Sequence, residues 1–151
     1  MKKIFREKFF LKAYLWSFFC LGLTPLCNLF NVTLNNLFND KRSDVLQIIQ
    51  TINISQRRYA ETHQSNYAQN FYELVREDYL DEKFAKQYPF IDDYVFIMQV
   101  AAPTKEKPAF FSIRAEPYFE YRAWHFYFDS TLGAVKVTDE NRPAKPDDPA
   151  I

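Results

Sequence analysis

The spacing of apolar residues predicts one amphipathic helix in the first half of the chain. Four aliphatic residues recur at positions i, i+3, i+4 and i+7, which places them on one face of an α-helix. They are Val45, Ile48, Ile49 and Ile52. Tyr59 continues this face one heptad after Ile52. Residues 63–69 are polar, so the helix is expected to end near Thr62.

Two short helical segments are expected between this helix and Pro89. Asn70 is a suitable N-cap for the segment FYELVREDY, in which Phe71, Leu74 and Val75 share one face. The segment LDEKFAKQ, residues 80–87, adds another turn or two.

From Tyr94 onward the apolar pattern has a period of two, which predicts four short strands. They lie within residues 94–103, 109–117, 124–130 and 134–139. The intervening loops are short, so we expect an antiparallel meander. Gly133 provides the positive φ that the last hairpin needs.

These elements predict an α+β fold, a long N-terminal α-helix packed on a four-stranded antiparallel β-meander. Its core is expected to include Tyr59, Phe96, Phe126 and Val135. The chain then has three regions: a signal peptide or membrane anchor in residues 1–31, a helix-plus-sheet domain in residues 32–139, and an extended C-terminal tail in residues 140–151.

The first thirty residues predict targeting to a membrane. Residues 1–8 are basic and residues 13–30 carry no charge, an order typical of a signal peptide or signal anchor. We expect membrane contact through residues 9–30, with the N-terminus in the cytoplasm. An uncleaved anchor and a cleaved signal both fit this pattern; a lipoprotein and a buried helix of a soluble protein fit less well. The domain is therefore expected in the periplasm on an inner-membrane anchor, or secreted to the cell surface.

Composition excludes several function classes. The chain has two glycines, too few for a Gly-rich phosphate loop. Residues 1–12 hold five basic side chains and one acidic one, a net charge of +4, so the rest of this neutral chain carries −4. Such an acidic domain does not predict nucleic-acid binding. Both cysteines, Cys20 and Cys27, precede the folded domain, which removes thiolate zinc sites from it.

Titratable residues form no recognisable catalytic pattern, so we expect no enzyme, no catalytic residue, no metal and no cofactor. His125 lies on a predicted strand between aromatic residues, and His63 lies near a helix end, where a cation is favoured by the helix dipole. The carboxylates at strand ends are interpreted as turn formers and edge protection rather than as an acid/base pair. They are Asp92, Asp93, Asp129, Asp139 and Glu140. A small hydrolase would need these groups or His125 to converge in a cleft.

An aromatic surface is the remaining candidate for a binding site. The residues expected on an exposed edge of the sheet are Phe110, Tyr118, Tyr121 and Arg122. This pattern supports a membrane-anchored periplasmic binding module as an alternative function.

Four segments between Thr51 and Ile151 are each similar to a short motif, and the motifs follow one another in a fixed order. TINISQRRYAETHQSNYAQNFYELV is similar to a helix end T-I-N-x-A-Q-x-x-Y followed by a loop and a short helix, and LDEKFA to a turn L-L-D-x-x-L-A. YVFIMQVAAPTKEKPAFFSIRAEP is similar to a pair of strands, and WHFYFDSTLGAVKVTDENRPAKPDDPAI to a hairpin F-Y-x-D-x-x-G-x-I-R with an acidic tail. In this order the region resembles the globular head of bacterial type IV pilin-like proteins, or pseudopilins.

The resemblance implies a structural component of a pilus or secretion apparatus whose partners are other pilin-like subunits. It implies that Val45, Ile48, Ile49 and Ile52 pack against neighbouring helices; a purely intramolecular core is the competing use. The N-terminus departs from the family pattern, because Lys8 precedes Phe9 and no acidic residue occurs between Phe9 and Asn39. Prepilin processing is therefore not expected. The resemblance then implies a pilin-like head on a different anchor, either a minor or accessory component or half of a split pilin whose helix is a separate chain.

Overall fold

A computed structural model describes residues 24–119 and 124–151, with side chains from Arg42 onward. The chain divides into two units, Met1–Asp40 and Lys41–Ile151. Helix α1 is Thr24–Thr62 and helix α2 is Phe71–Arg76. A single 3₁₀ turn at Glu82–Phe84 follows them.

The second unit contains one antiparallel sheet whose strands lie side by side in chain order. The strands are β1 Phe90–Ile91, β2 Tyr94–Ala101, β3 Phe110–Pro117, β4 His125–Asp129 and β5 Lys136–Thr138. The register pairs Phe96 with Ala115, and Ala115 in turn with Phe126. These three side chains therefore lie in a row across the sheet on its core face.

The core lies between this face of the sheet and the helical segments. Phe111, Ile113 and Ala115 of β3 are fully buried, as their alternation predicts. The core residues predicted from the sequence are also buried, a prediction that is confirmed. They are Tyr59, Phe96, Phe126 and Val135. Phe71 and Phe84 extend the core beneath α2 and the 3₁₀ turn, with ring centroids 6.1 Å apart.

The expected fold class, a long N-terminal helix on a four-stranded meander, is wrong. The sheet has five strands, because Phe90 and Ile91 turn back through Asp92 and Asp93 to pair with the start of β2. A strand of two residues is too short to show a period, so the sequence pattern did not reveal it. In the second unit, α1 supplies core residues from the segment 42–62, and α2 adds Phe71 and Leu74.

The start of α2 agrees with its sequence. The Asn70 side chain accepts a hydrogen bond of 2.9 Å from the Glu73 amide, which confirms Asn70 as the N-cap. Gly133 has a φ of +68°, as the hairpin required. Five other described residues also adopt positive φ: Gln64, Ser65, Asp78, Asp92 and Asp93.

The C-terminal residues return to the sheet. The Val137 amide donates to the Pro149 carbonyl at 3.0 Å, and the Ile151 amide donates to the Val135 carbonyl at 3.0 Å. Ala150 forms an antiparallel bridge with Lys136. The last three residues therefore cover the open edge of β5.

Candidate functional site

The apolar stripe of α1 is buried in this chain's own core. Three of its residues have no exposed area and Ile48 has 8%. All four, Val45, Ile48, Ile49 and Ile52, belong to the cluster that contains the inward residues of the sheet. The chain's own packing therefore accounts for this stripe.

Gln56 is a polar residue in the middle of this buried region, with no exposed area. Its side-chain amide donates to the Ala68 carbonyl at 2.9 Å and accepts from the Ala68 amide at 2.9 Å. Its Nε2 also lies 2.9 Å from Met98 Sδ. The Gln56 side chain thus satisfies both backbone groups of Ala68, as a neighbouring strand does in a sheet. These two bonds hold the loop after α1 in place.

Ser55 makes the corresponding contact on the other side of the helix end. Its hydroxyl donates to the Tyr79 carbonyl at 2.7 Å and is buried. Ser55, Gln56 and Tyr59 occupy the A, Q and Y positions of the helix-end motif quoted above. In this structure these three positions hold the segment 63–80 against α1.

The predicted aromatic surface is not one site. Phe110 begins β3 and Tyr118 follows its last residue, so about 3.3 Å per residue places them roughly 25 Å apart. Phe110 is half-buried, whereas Tyr118 is 63% exposed. Tyr121 and Arg122 lie outside the residues that the structure describes.

Tyr118 instead belongs to an exposed aromatic cluster with Phe90 and Phe119. The Tyr118 ring meets Phe90 edge-on at 5.2 Å between centroids and Phe119 at 5.1 Å. Phe90 is 51% exposed and Phe119 is 67% exposed. Sequence reasoning missed these two residues, because Phe90 lies in the unrecognised strand β1 and Phe119 in the loop after β3. Exposed apolar patches mark sites of contact with proteins, membranes or ligands, and aromatic residues are enriched at protein interfaces.

An acidic groove lies between α1 and the segment 78–84. It has a volume of about 560 Å³ and is lined by four aspartates and Lys83. The aspartates are Asp44, Asp78, Asp81 and Asp92. Three of them have backbone roles, since Asp81 caps the 3₁₀ turn and both Asp78 and Asp92 adopt left-handed turn conformations. Local structure therefore accounts for much of this acidity.

One of the strand-end carboxylates, Asp129, stabilises the turn after β4. Asp129, 4% exposed, accepts hydrogen bonds from the amides of Thr131 and Leu132 and from the Tyr127 hydroxyl. Burial opposes ionisation of Asp129, but these donors and the Thr131 hydroxyl together lower its pKa below the ordinary value. Burial and the bond to Asp129 raise the pKa of Tyr127 to about 12. A carboxylate held this way caps a turn and is no general base.

The two histidines lie in different parts of the second unit. His125 Nδ1 contacts Glu116 Oε2 at 2.5 Å across β3 and β4, and Glu116 Oε1 is buried without a partner. His63 lies at the end of α1, beside Glu77. In the described ranges, 24–119 and 124–151, no three His, Cys, Asp or Glu side chains are placed to hold a metal ion.

Membrane contact was expected through residues 9–30, most of which lie outside the residues that the structure describes. Residues 9–23 are not described. Within the described part of the chain, no helix is both long and apolar enough to span a membrane. Comparison of the chain with protein-family models, with curated proteins and with solved structures gives no match.

Proposed function

We propose that this chain is a structural, non-enzymatic component of a cell-envelope filament or secretion apparatus, of the pilin-like or pseudopilin kind. It acts by packing against other pilin-like subunits, as a minor or accessory component. The exposed cluster of Phe90, Tyr118 and Phe119 is part of that contact. Anchoring through residues 9–30 is part of the same proposal.

One observation carries the choice of a packing function: three exposed aromatic rings lie together, whereas several buried polar side chains bond within the chain. Asp129 and Asp81 cap turns, and Gln56 and Ser55 hold a loop. Phe90, Tyr118 and Phe119 expose half or more of their surface side by side. Burying such rings against a partner contributes about 25 cal/mol per Å² before the cost of association.

The test is site-specific photo-crosslinking of the full chain in its own cells. A photoreactive amino acid replaces Phe119, and the matched control replaces Tyr72, which is 59% exposed on α2. We expect crosslinks from position 119 to proteins that carry pilin-like helices, identified by mass spectrometry, and none from position 72. Equal labelling at the two positions, or none at 119 in a chain present at normal level, contradicts the proposal.

The same cluster favours one alternative, a membrane-anchored periplasmic binding module. A binding module acts as a monomer and uses the rings for a small ligand. Crosslinks from position 119 to a soluble partner or to no protein, together with a monomeric full chain, support the module and count against the filament component.

A further inference from the structure

His63 lies where two acceptors face its two ring nitrogens. Nδ1 is 2.9 Å from the Tyr59 carbonyl oxygen, and Nε2 is 3.1 Å from Glu77 Oε2. A carbonyl and a carboxylate oxygen only accept hydrogen bonds, so each of them requires a proton on the nitrogen that it faces. A neutral imidazole carries one such proton and leaves a lone pair against the other oxygen. The imidazolium alone satisfies both.

Three further features favour a positive charge at this position. His63 directly follows the last residue of α1, where the helix dipole stabilises cations. Its ring stacks on Tyr59 with centroids 3.7 Å apart and planes 6° apart. Thr62 Oγ1 lies 2.9 Å from both Nδ1 and the Tyr79 hydroxyl. Because the Thr62 hydroxyl donates to the Tyr59 carbonyl at 3.0 Å, its oxygen is left to accept from Nδ1.

The ring connects the ends of two helices that follow one another in the chain. Glu77 caps the C-terminus of α2, and its other carboxylate oxygen pairs with Arg76 at 3.0 Å. Soon after Glu77 in the chain, the amides of Tyr79 and Leu80 both donate to the Leu74 carbonyl. A bond from His63 to Glu77 therefore ties the end of α1 to the segment that carries Tyr79 and Leu80.

From this geometry we propose that His63 is a pH-sensitive latch between the end of α1 and the segment after α2. The latch is closed while the ring carries both protons and loosens when it loses one. The titratable groups in contact with the ring are Glu77 and Tyr59, and Tyr59 in turn interacts electrostatically with Glu73, Arg76 and Tyr79. Imidazole is the type of side chain whose protonation changes near neutral pH, so a response in that range is assigned to the histidine and not to its neighbours.

The first test observes the ring itself by ¹⁵N NMR of the full chain with labelled histidine. The chain has two histidines, so the variant His125→Gln identifies the His63 signals. At pH 5.5 we expect both His63 nitrogens to be protonated and hydrogen-bonded. A single neutral tautomer at His63 at that pH overturns the proposal.

The second test measures amide hydrogen exchange at Tyr79 and Leu80, corrected for the intrinsic pH dependence. A half-exposed ion pair of this kind changes the opening equilibrium roughly two- to fivefold. We therefore expect slower exchange by that factor at pH 5.5 than at pH 8. His63→Gln and Glu77→Gln should each abolish the difference, and His125→Gln should keep it. A difference that persists in His63→Gln, or is absent in the unmodified chain, overturns the proposal.

Discussion

At the scale of single residues, Gln56 shows how a polar group can be part of the core. It lies within the helix whose apolar spacing defines the buried face, and both ends of its amide pair with Ala68. Loss of either bond leaves a buried backbone group of Ala68 without a partner, at about 1–3 kcal/mol for each group.

We therefore expect Gln56→Ala to lower the free energy of unfolding by about 2–4 kcal/mol. The adjacent change Arg57→Ala is the control, because Arg57 is exposed and its guanidinium donates to Asn53 within the same helix. Urea unfolding of both variants measures the difference. A Gln56→Ala chain as stable as Arg57→Ala would contradict the assigned role.

The sequence reveals some residue roles and hides others. Apolar alternation predicted the buried faces of β2 to β5, and Asn70 was identifiable as a cap because capping depends on local chemistry. Gln56 was not identifiable, because its partner Ala68 is brought near only by the tertiary fold. The positive φ of Asp78 and Asp92 could not be predicted from the sequence either, because aspartate adopts that conformation less often than glycine.

At the scale of elements, the C-terminal segment is a folded part of the sheet. Arg142 forms two bonds with the Asp148 carboxylate, at 2.8 and 2.7 Å, and the Lys145 amide donates to the same carboxylate at 2.7 Å. Ala144 is buried between them in the chain. These contacts position residues 149–151 beside β5, whereas three prolines in the sequence indicated only an extended tail.

The Arg142–Asp148 clamp gives the tail a defined response to acid. The hydrogen bonds from Arg142 lower the pKa of Asp148 to about 2. A lowered carboxyl pKa stabilises the folded state above the ordinary value near 4, and this contribution disappears as the pH falls through about 2. We expect the Ile151 amide to stay protected from exchange at pH 4 and to lose protection between about pH 3 and 2.

The matched variants for this prediction are Asp148→Asn and Asp147→Asn. The amide at 148 removes the charge that pairs with Arg142, so the Ile151 amide should exchange faster at pH 6. Asp147 is exposed, and its variant should behave as the unmodified chain. Equal exchange in the two variants would show that the clamp does not hold the tail.

At the scale of the whole second unit, both edges of the sheet are protected. β1 has two residues and follows Pro89, and β5 is covered by residues 149–151. The fifth strand could not be predicted, because β1 exists only through its pairing with β2. The exposed aromatic cluster has the same origin, since its three rings come together only when β1 lies beside β2 and the loop after β3.

Deletion of residues 149–151 should expose the β5 edge and increase self-association of the full chain. The deletion frees the Val137 amide and the Val135 carbonyl, which can then pair with another strand. Ile151→Ala keeps both backbone bonds and serves as the control. Analytical ultracentrifugation measures the change; identical sedimentation of the two variants would count against edge protection by the tail.

The order of the strands has a consequence for how the unit folds. Each strand pairs with the strands next to it in the chain, from β1 to β5, so the sheet needs only local hairpin closures. Local contacts of this kind favour rapid folding. A more distant closure joins the sheet to residues 45–59 of α1. During synthesis α1 therefore leaves the ribosome before the strands that cover its apolar face, and it can bury that face only after they have been made. The last three residues then complete the sheet.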